Sequence, residues 1–178
     1  MSSHVAWKID RAITSRILKY TMRSALIGTV LLMALSLMTG VSVQAATDLT
    51  LASNLSFVDD SSPNFPIVAK DPDDATIARD HPTVIFFGTS HCWNTAREAG
   101  RLVGLYPEYR DRVHFVVVDL HHASPEQQRL ASTYYSDYIP TLAIFDKFGR
   151  LAYDRAGETA ANRGDTQHLR ELIESALR

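Results

Sequence analysis

The sequence predicts an α/β domain built on a central mixed β-sheet with helices on both faces, carried behind an N-terminal leader. Three observations predict it. Thr83–Phe87, Val113–Val118 and Tyr138–Phe145 are apolar runs of strand length, rich in β-branched residues; such runs suit strands buried on both faces. Segments of helical spacing separate them, the signature of a parallel βαβ unit. A tight turn after the third run leads into one more strand, which adds an antiparallel hairpin.

Length and charge bound the rest. A chain of 178 residues suits one domain plus a leader. A hydrophobic content of 46% and a charged content of 21% exclude wholesale disorder. The formal charge of −2 is unevenly spread. Residues 1–45 hold Lys8, Arg11, Arg16, Lys19 and Arg23 against Asp10, which leaves 13 basic and 19 acidic residues, a net −6, for the remainder. So acidic a domain has no electrostatic footprint for nucleic acid. Nothing in the sequence calls for a cofactor.

Residues 1–45 read as the leader. Basic residues precede an apolar run from Ala25 to Met38, and Val43 and Ala45 occupy the −3 and −1 positions of a small-x-small cleavage site. This is the layout of a secretory signal cut before Ala46. The alternative is an uncleaved anchor, since residues 25–43 approach the ~20 residues that span a bilayer and would then provide membrane association. Under either reading the domain is periplasmic or otherwise extracytoplasmic, because the positive charges lie before the apolar run. Read from Met22, the leader has ordinary proportions, so Met22 is the expected start. Residues 46–72, rich in Ser, Asp, Asn and Pro, read as an extended linker with at most one short edge strand near Leu49 to Val58. Residues 73–178 are the expected domain.

Its elements follow in order. Asp73 or Asp74 is placed to cap a short helix ending before His81-Pro82. After strand Thr83–Phe87, Gly88-Thr89-Ser90 forms a turn, and the spacing of Ala96, Ala99, Val103 and Tyr106 predicts a helix from about Trp93 to Tyr106. Val113–Val118 is the second strand, and Asp119 turns the chain into His121-His122. Ser124-Pro125-Glu126-Gln127 is a helix start, with a capping Ser, Pro at the first helical position and Gln at the third; the helix should reach about Ser136. Tyr138–Phe145 is the third strand, led in by Ile139-Pro140. Asp146-Lys147-Phe148-Gly149 is a turn, and Arg150–Arg155 pairs back. Leu169, Leu172, Ile173, Ala176 and Leu177 mark a helix buried on one face.

This order, with its motifs, resembles the thioredoxin family over about Asp73 to Arg178, in the manner of its periplasmic members. Phe87-Gly88-Thr89-Ser90-His91-Cys92-Trp93-Asn94-Thr95 is similar to the family's Phe-x-Ala-x-Trp-Cys-x-x-Cys site, without a gap. Ile139-Pro140-Thr141-Leu142 is similar to its cis-proline segment. Gly149 and Gly157 fall where the hairpin turn and the glycine after its second strand are expected. The resemblance implies a thioredoxin-like fold, a cis Ile139–Pro140 bond and Pro140 against the Cys92 sulfur. It also implies that His91, Trp93, Ile139 and Thr141 line a groove for an extended peptide. Two departures bear on function. The second cysteine position is Thr95, and the family's buried acid falls on Phe86. A third, milder one puts His91 where Trp usually precedes the cysteine.

Cys92 is the only cysteine, so no disulfide staples the chain. At a helix N-terminus, dipole and free amides stabilise a thiolate. Thr95, one turn on, is placed to donate to the sulfur, and a protonated His91 would add to the effect. Cys92, Thr95 and Pro140 are thus the candidate reacting centre. With no second thiol, a mixed disulfide at Cys92 must be released by an outside thiol, so the implied partners are protein thiols or a small thiol. Two readings stay open: monothiol thiol-disulfide exchange, and a redox-inactive thioredoxin-fold module that binds a protein in the cell envelope. Convergence of His91, Cys92 and His121 on a metal is outweighed by the solvated-loop reading of His121 and His122, as no recognised ligand spacing is present. Tyr134, Tyr135 and Tyr138 are expected to pack in the core and around the proline loop.

Overall fold

The structure is a computed structural model that describes residues 48–156 and 164–178. The expected leader, its cleavage site and Gly157 lie outside these residues. Among the described residues, strands β1 (Leu49–Leu51), β2 (Ile67–Ala69), β3 (Thr83–Gly88), β4 (His114–Asp119), β5 (Thr141–Phe145) and β6 (Leu151–Ala156) are joined by three helices: α1 (Trp93–Tyr109) after β3, α2 (Pro125–Tyr134) after β4 and α3 (Thr166–Leu177) after β6. A four-stranded sheet has the order β4-β3-β5-β6. Its β3–β4 pair is parallel, and its β3–β5 and β5–β6 pairs are antiparallel. With helices on both faces, this mixed sheet is a thioredoxin-like α/β fold.

Alternation along β3 divides the core into two layers. Val84 and Phe86 point to one face, where Ala99 and Leu102 of α1, Leu169 and Ile173 of α3, and Leu49 and Ile67 complete a cluster. Ile85 and Phe87 point to the other, against Val116, Val118, Leu130 of α2 and Phe145. All six residues of β3 are buried, as expected for a strand with a neighbour on each side and a layer on each face.

Residues 46–72 were expected to be a linker; the structure corrects this. β1 and β2 pair antiparallel, and Leu49 and Ile67, 4% and 5% exposed, join the core with Phe65 packed beside them. The described part of this segment falls in the same compact unit as the rest of the domain. Its strands are three residues each, too short for an alternating pattern to stand out from the surrounding Ser, Asp and Pro.

A helix was also expected between Asp73 and His81. Residues 71–82 instead form turns and irregular chain. The Asp74 carboxylate accepts from Thr76 N–H at 2.9 Å and pairs with His114 Nε2 at 2.7 Å. Gln127 Nε2 donates to Pro72 O, Asp74 O and Val117 O at 2.8–3.0 Å. Carbonyls that a helix would have used thus go to a buried amide on α2, and Ala75 and Ile77 pack on the second cluster.

Other ends moved less. α1 continues past Pro107 to Tyr109, because the fully buried Tyr109 holds its last turn, with Arg112 and Val113 N–H bonded to Tyr109 O. α2 ends at Tyr134, and its start carries the complete capping box of Ser124 and Gln127. β5 begins only at Thr141. Tyr134 and Tyr135 pack on Phe145 and Phe87 as expected, but Tyr138 is 67% exposed. Gly149 closes the β5–β6 turn at φ +72°, in the region glycine adopts without steric cost.

Gln127 thus serves as helix cap and as clasp for the 71–82 segment. Gln127→Ala should lower stability by roughly 2–4 kcal/mol, since it removes the cap and strands buried carbonyls. Gln127→Glu should cost at least as much, because it aims an oxygen at those carbonyls. Urea unfolding of the three proteins checks this ordering.

Burial alone would raise the Asp74 carboxyl above its ordinary 3.8, but the hydrogen bonds from His114 and Thr76 and the charge of His114 outweigh it and hold it below that value. A carboxyl lowered by folding contributes stability that is fully present above its unfolded pKa and lost as pH falls through the folded one. Asp74→Asn should therefore destabilise the domain at pH 6. The gap to the parent should close as pH is taken from about 4 downward, read from denaturant midpoints across that range.

Candidate functional site

The sheet register places the site. Phe87 pairs with Thr141 and Gly88 with Asp119, so the ends of β3 and β4 and the start of β5 share one edge. There β3 turns through Ser90 and His91 into α1. Gly88 is needed at the turn: a Cβ on it would lie 2.4 Å from Thr95 Cγ2. His91, exposed, has φ +52°, in the left-handed region.

Cys92 is the N-cap of α1, half-buried, with no side-chain capping bond. The expected geometry, a reduced thiol at the head of a 17-residue helix, is in place. The surroundings differ from expectation. Thr95 is fully buried, and its hydroxyl has no hydrogen-bond partner among the described residues. The expected bond from Thr95 to the Cys92 sulfur is therefore not formed; the threonine side chain is turned to the sheet, its methyl packed on Gly88. Trp93 is half-buried, with the Arg97 guanidinium over its ring at 4.4 Å.

Across the edge, the Ile139–Pro140 bond is cis. Pro140 is buried and Ile139 half-buried. Thr141 is fully buried, and its hydroxyl donates to Tyr138 O at 2.5 Å. Its side chain thus braces the loop rather than lining a groove, which corrects the expected role. Asp119 turns the chain as predicted: its carboxylate accepts from His121 N–H at 3.1 Å and meets His122 Nδ1 at 2.8 Å. His121 and His122 are exposed, and no three His, Cys, Asp or Glu among the described residues are grouped to hold a metal.

Two features escaped the sequence. The first is the loop between β1 and β2, which fastens to both residues flanking Cys92. Ser62 O accepts from His91 N–H at 2.9 Å, and Asp60 Oδ1 accepts from Trp93 N–H at 2.9 Å. The partners lie about thirty residues apart in the chain, and no local pattern links them. The second is Glu98, fully buried on α1, paired with Arg101 one turn on and with Arg155 of β6 at 2.5 Å. Phe86, Leu142 and Arg155 are register partners across the sheet, so Glu98 sits over the same face as Phe86. A buried acid is present, but on the helix and neutralised by two guanidiniums. Its place on the stripe of Thr95, Ala99 and Leu102 was the available signal.

No protein-family model and no curated protein matches the chain. Among solved structures it is similar to thioredoxin O2 from Arabidopsis thaliana in the oxidised state, at 21% identity over 58% of this chain and 84% of that one, with a TM-score of 0.46. It is also similar to a chain in the structure describing thiol resolution in yeast mitochondrial 1-Cys peroxiredoxin via the glutathione/thioredoxin systems, at 21% identity, 56% and 82% coverage and a TM-score of 0.44. Fasciola hepatica thioredoxin matches at 20% identity, 55% and 83% coverage and a TM-score of 0.44. The fold assignment stands on the strand order and connections described above.

Residues 92 and 95 are the N-cap and third position of one helical turn, with separations compatible with a disulfide. Thr95→Cys should therefore form a 92–95 disulfide on oxidation, and its reduced form should reduce a protein disulfide that the parent does not. Thiol titration of the oxidised variant should find no free thiol; two persistent thiols would refute the register of the first turn.

Proposed function

We propose that this protein is an exported monothiol thiol-disulfide exchange protein and that Cys92 is its reacting group. The observation that carries the reading is the position of Cys92. Cys92 stands half-buried at the N-cap of α1, makes no side-chain capping bond, and lies on the edge where β5 begins at Thr141, directly after the cis Ile139–Pro140 bond. Helix N-termini favour a thiolate.

The chemistry balances without a second cysteine. The Cys92 thiolate attacks one sulfur of a partner disulfide, forms a mixed disulfide and expels the other sulfur as a thiolate. A thiolate from outside, from a protein or a small thiol, then attacks the partner sulfur of the mixed disulfide. Cys92 leaves as thiolate and a new external disulfide remains. The pair of steps exchanges partners with no net oxidation. Export rests on the leader, with residues 25–43 either removed or retained as an anchor. Among the described residues no helix is long and apolar enough to cross a membrane.

A second reading, a redox-inactive binding module, is favoured by one observation: the Asp60 carboxylate already occupies the N–H of Trp93. A fixed negative charge there competes with a thiolate.

The two readings part on a trapping experiment. The protein is expressed in its own cell envelope, thiols are blocked in acid, and extracts are resolved without reductant. Exchange predicts reductant-sensitive adducts of this chain that vanish in Cys92→Ser. Monomer alone in both samples would leave the binding module.

A further inference from the structure

The loop joining β1 to β2 holds its own shape. Ser62, 2% exposed, accepts from Ser56 N–H through its hydroxyl at 2.7 Å. Ser56 Oγ accepts from Asp59 N–H at 3.2 Å, and Asp59 Oδ1 accepts from Ser61 N–H at 3.1 Å. This knot presents two acceptors side by side, Asp60 Oδ1 and Ser62 O. They take the amides of Trp93 and His91, the residues on either side of Cys92. The strap is anchored at both ends, since Leu49 and Ile67 of its flanking strands are buried in the core.

We propose that this loop is an inhibitory strap on the Cys92 site, in which the Asp60 carboxylate holds down the reactivity of the thiol by occupying the head of α1. The inference rests on the reading of Cys92 as the reacting group and concerns its regulation.

The physical argument is competition for one charge site. The N-terminus of a helix carries a partial positive charge concentrated on its first free amides. A thiolate at the N-cap and a carboxylate on the next amide draw on the same dipole, and each disfavours the other. The ionisable groups beside Cys92 on these segments are Asp59 and Asp60 on the strap, His91 in the turn and Arg97 on α1, whose guanidinium lies over the Trp93 ring. Of these, Asp60 is the one bonded to a first-turn amide. Asp59 spends its carboxylate on Ser61. Strap release would remove that negative charge from the head of α1, and a partner that binds the strap would thereby activate the thiol.

Asp60→Asn is the informative variant, since its side-chain oxygen can keep the bond to Trp93 while the charge is lost. Alkylation of Cys92 by iodoacetamide at pH 7 and low salt should be roughly two- to tenfold faster in Asp60→Asn than in the parent. The gap should shrink on adding about 0.5 M salt, because the Debye length contracts. Asp60→Ala should be at least as fast. A purely structural role predicts that Asp60→Asn matches the parent and Asp60→Ala alone differs; that result, or a salt-independent gap, would overturn the proposal. Equal thermal midpoints of parent and Asp60→Asn establish that folding is intact. Faster alkylation without any mixed disulfide in the cell envelope would uphold the strap and sink the exchange function.

Discussion

Strand β3 has no exposed face and no free edge. β4 and β5 flank it, α1 and α3 lie over Val84 and Phe86, and α2 lies beyond Ile85 and Phe87. At roughly 25 cal/mol per Å² of apolar surface, burying this strand on both sides is a large favourable term, and it sets where everything else can go. The chain must leave the sheet at Gly88. It must do so through a turn tight enough to bring Thr95 against the strand end, which is why a side chain at 88 has no room. Cys92 falls at the sheet edge as a consequence of packing several residues upstream.

The helix that carries Cys92 is fixed on the sheet in a second way. Glu98 faces inward from α1 and meets Arg155 from β6, with Arg101 on its own helix completing the charge balance. A buried ion pair gives little net stability, but removing one partner strands the other charge at a cost of about 3–5 kcal/mol. The group therefore acts as a register mark: any slide of α1 along the sheet would separate the charges. At the position of Phe86, where the resemblance implied a buried acid, this chain has apolar contact, with the Phe65 and Phe86 ring centroids 6.2 Å apart. Its carboxylate is held by arginines instead. In the proposed exchange, proton transfer would then rely on solvent or on the incoming thiol.

What could be read in advance follows range of interaction. β3, β4, β5, the capping box at Ser124 and Gln127, the stripe of α3 and the Gly149 turn are all written in local patterns, and each appears within a few residues of its expected bounds. The position of Cys92 was legible for the same reason: strand, turn and helix run without a break. What failed depended on contacts distant in sequence. The helix expected before Thr83 lost its carbonyls to Gln127, 53 and 55 residues away. The expected linker became part of the domain because two buried side chains, Leu49 and Ile67, outweigh a loop-like composition. Thr95 was placed at the right position with the wrong contact, since rotamer choice depends on Gly88 behind it.

The strap and the single thiol bear on each other kinetically. In the proposed exchange, Cys92 acts twice, first as attacking group and then as leaving group. Nucleophilicity rises with basicity by a Brønsted slope of about 0.4–0.5, while leaving ability falls. The proposed strap sets a carboxylate on the amide next to Cys92, where its charge opposes the return of the sulfur as a thiolate and makes it a poorer leaving group. A dithiol protein has little use for that combination, because its second cysteine clears the mixed disulfide at once. Here clearance waits for an outside thiol, and a poorer leaving group lengthens the wait. On that proposal, Asp60 beside Cys92, together with Thr95 where a resolving thiol would stand, would favour a captured partner over rapid turnover. Release of the strap shifts the same sulfur toward departure. The two departures from dithiol chemistry, one readable in sequence and one only in the fold, push in the same direction.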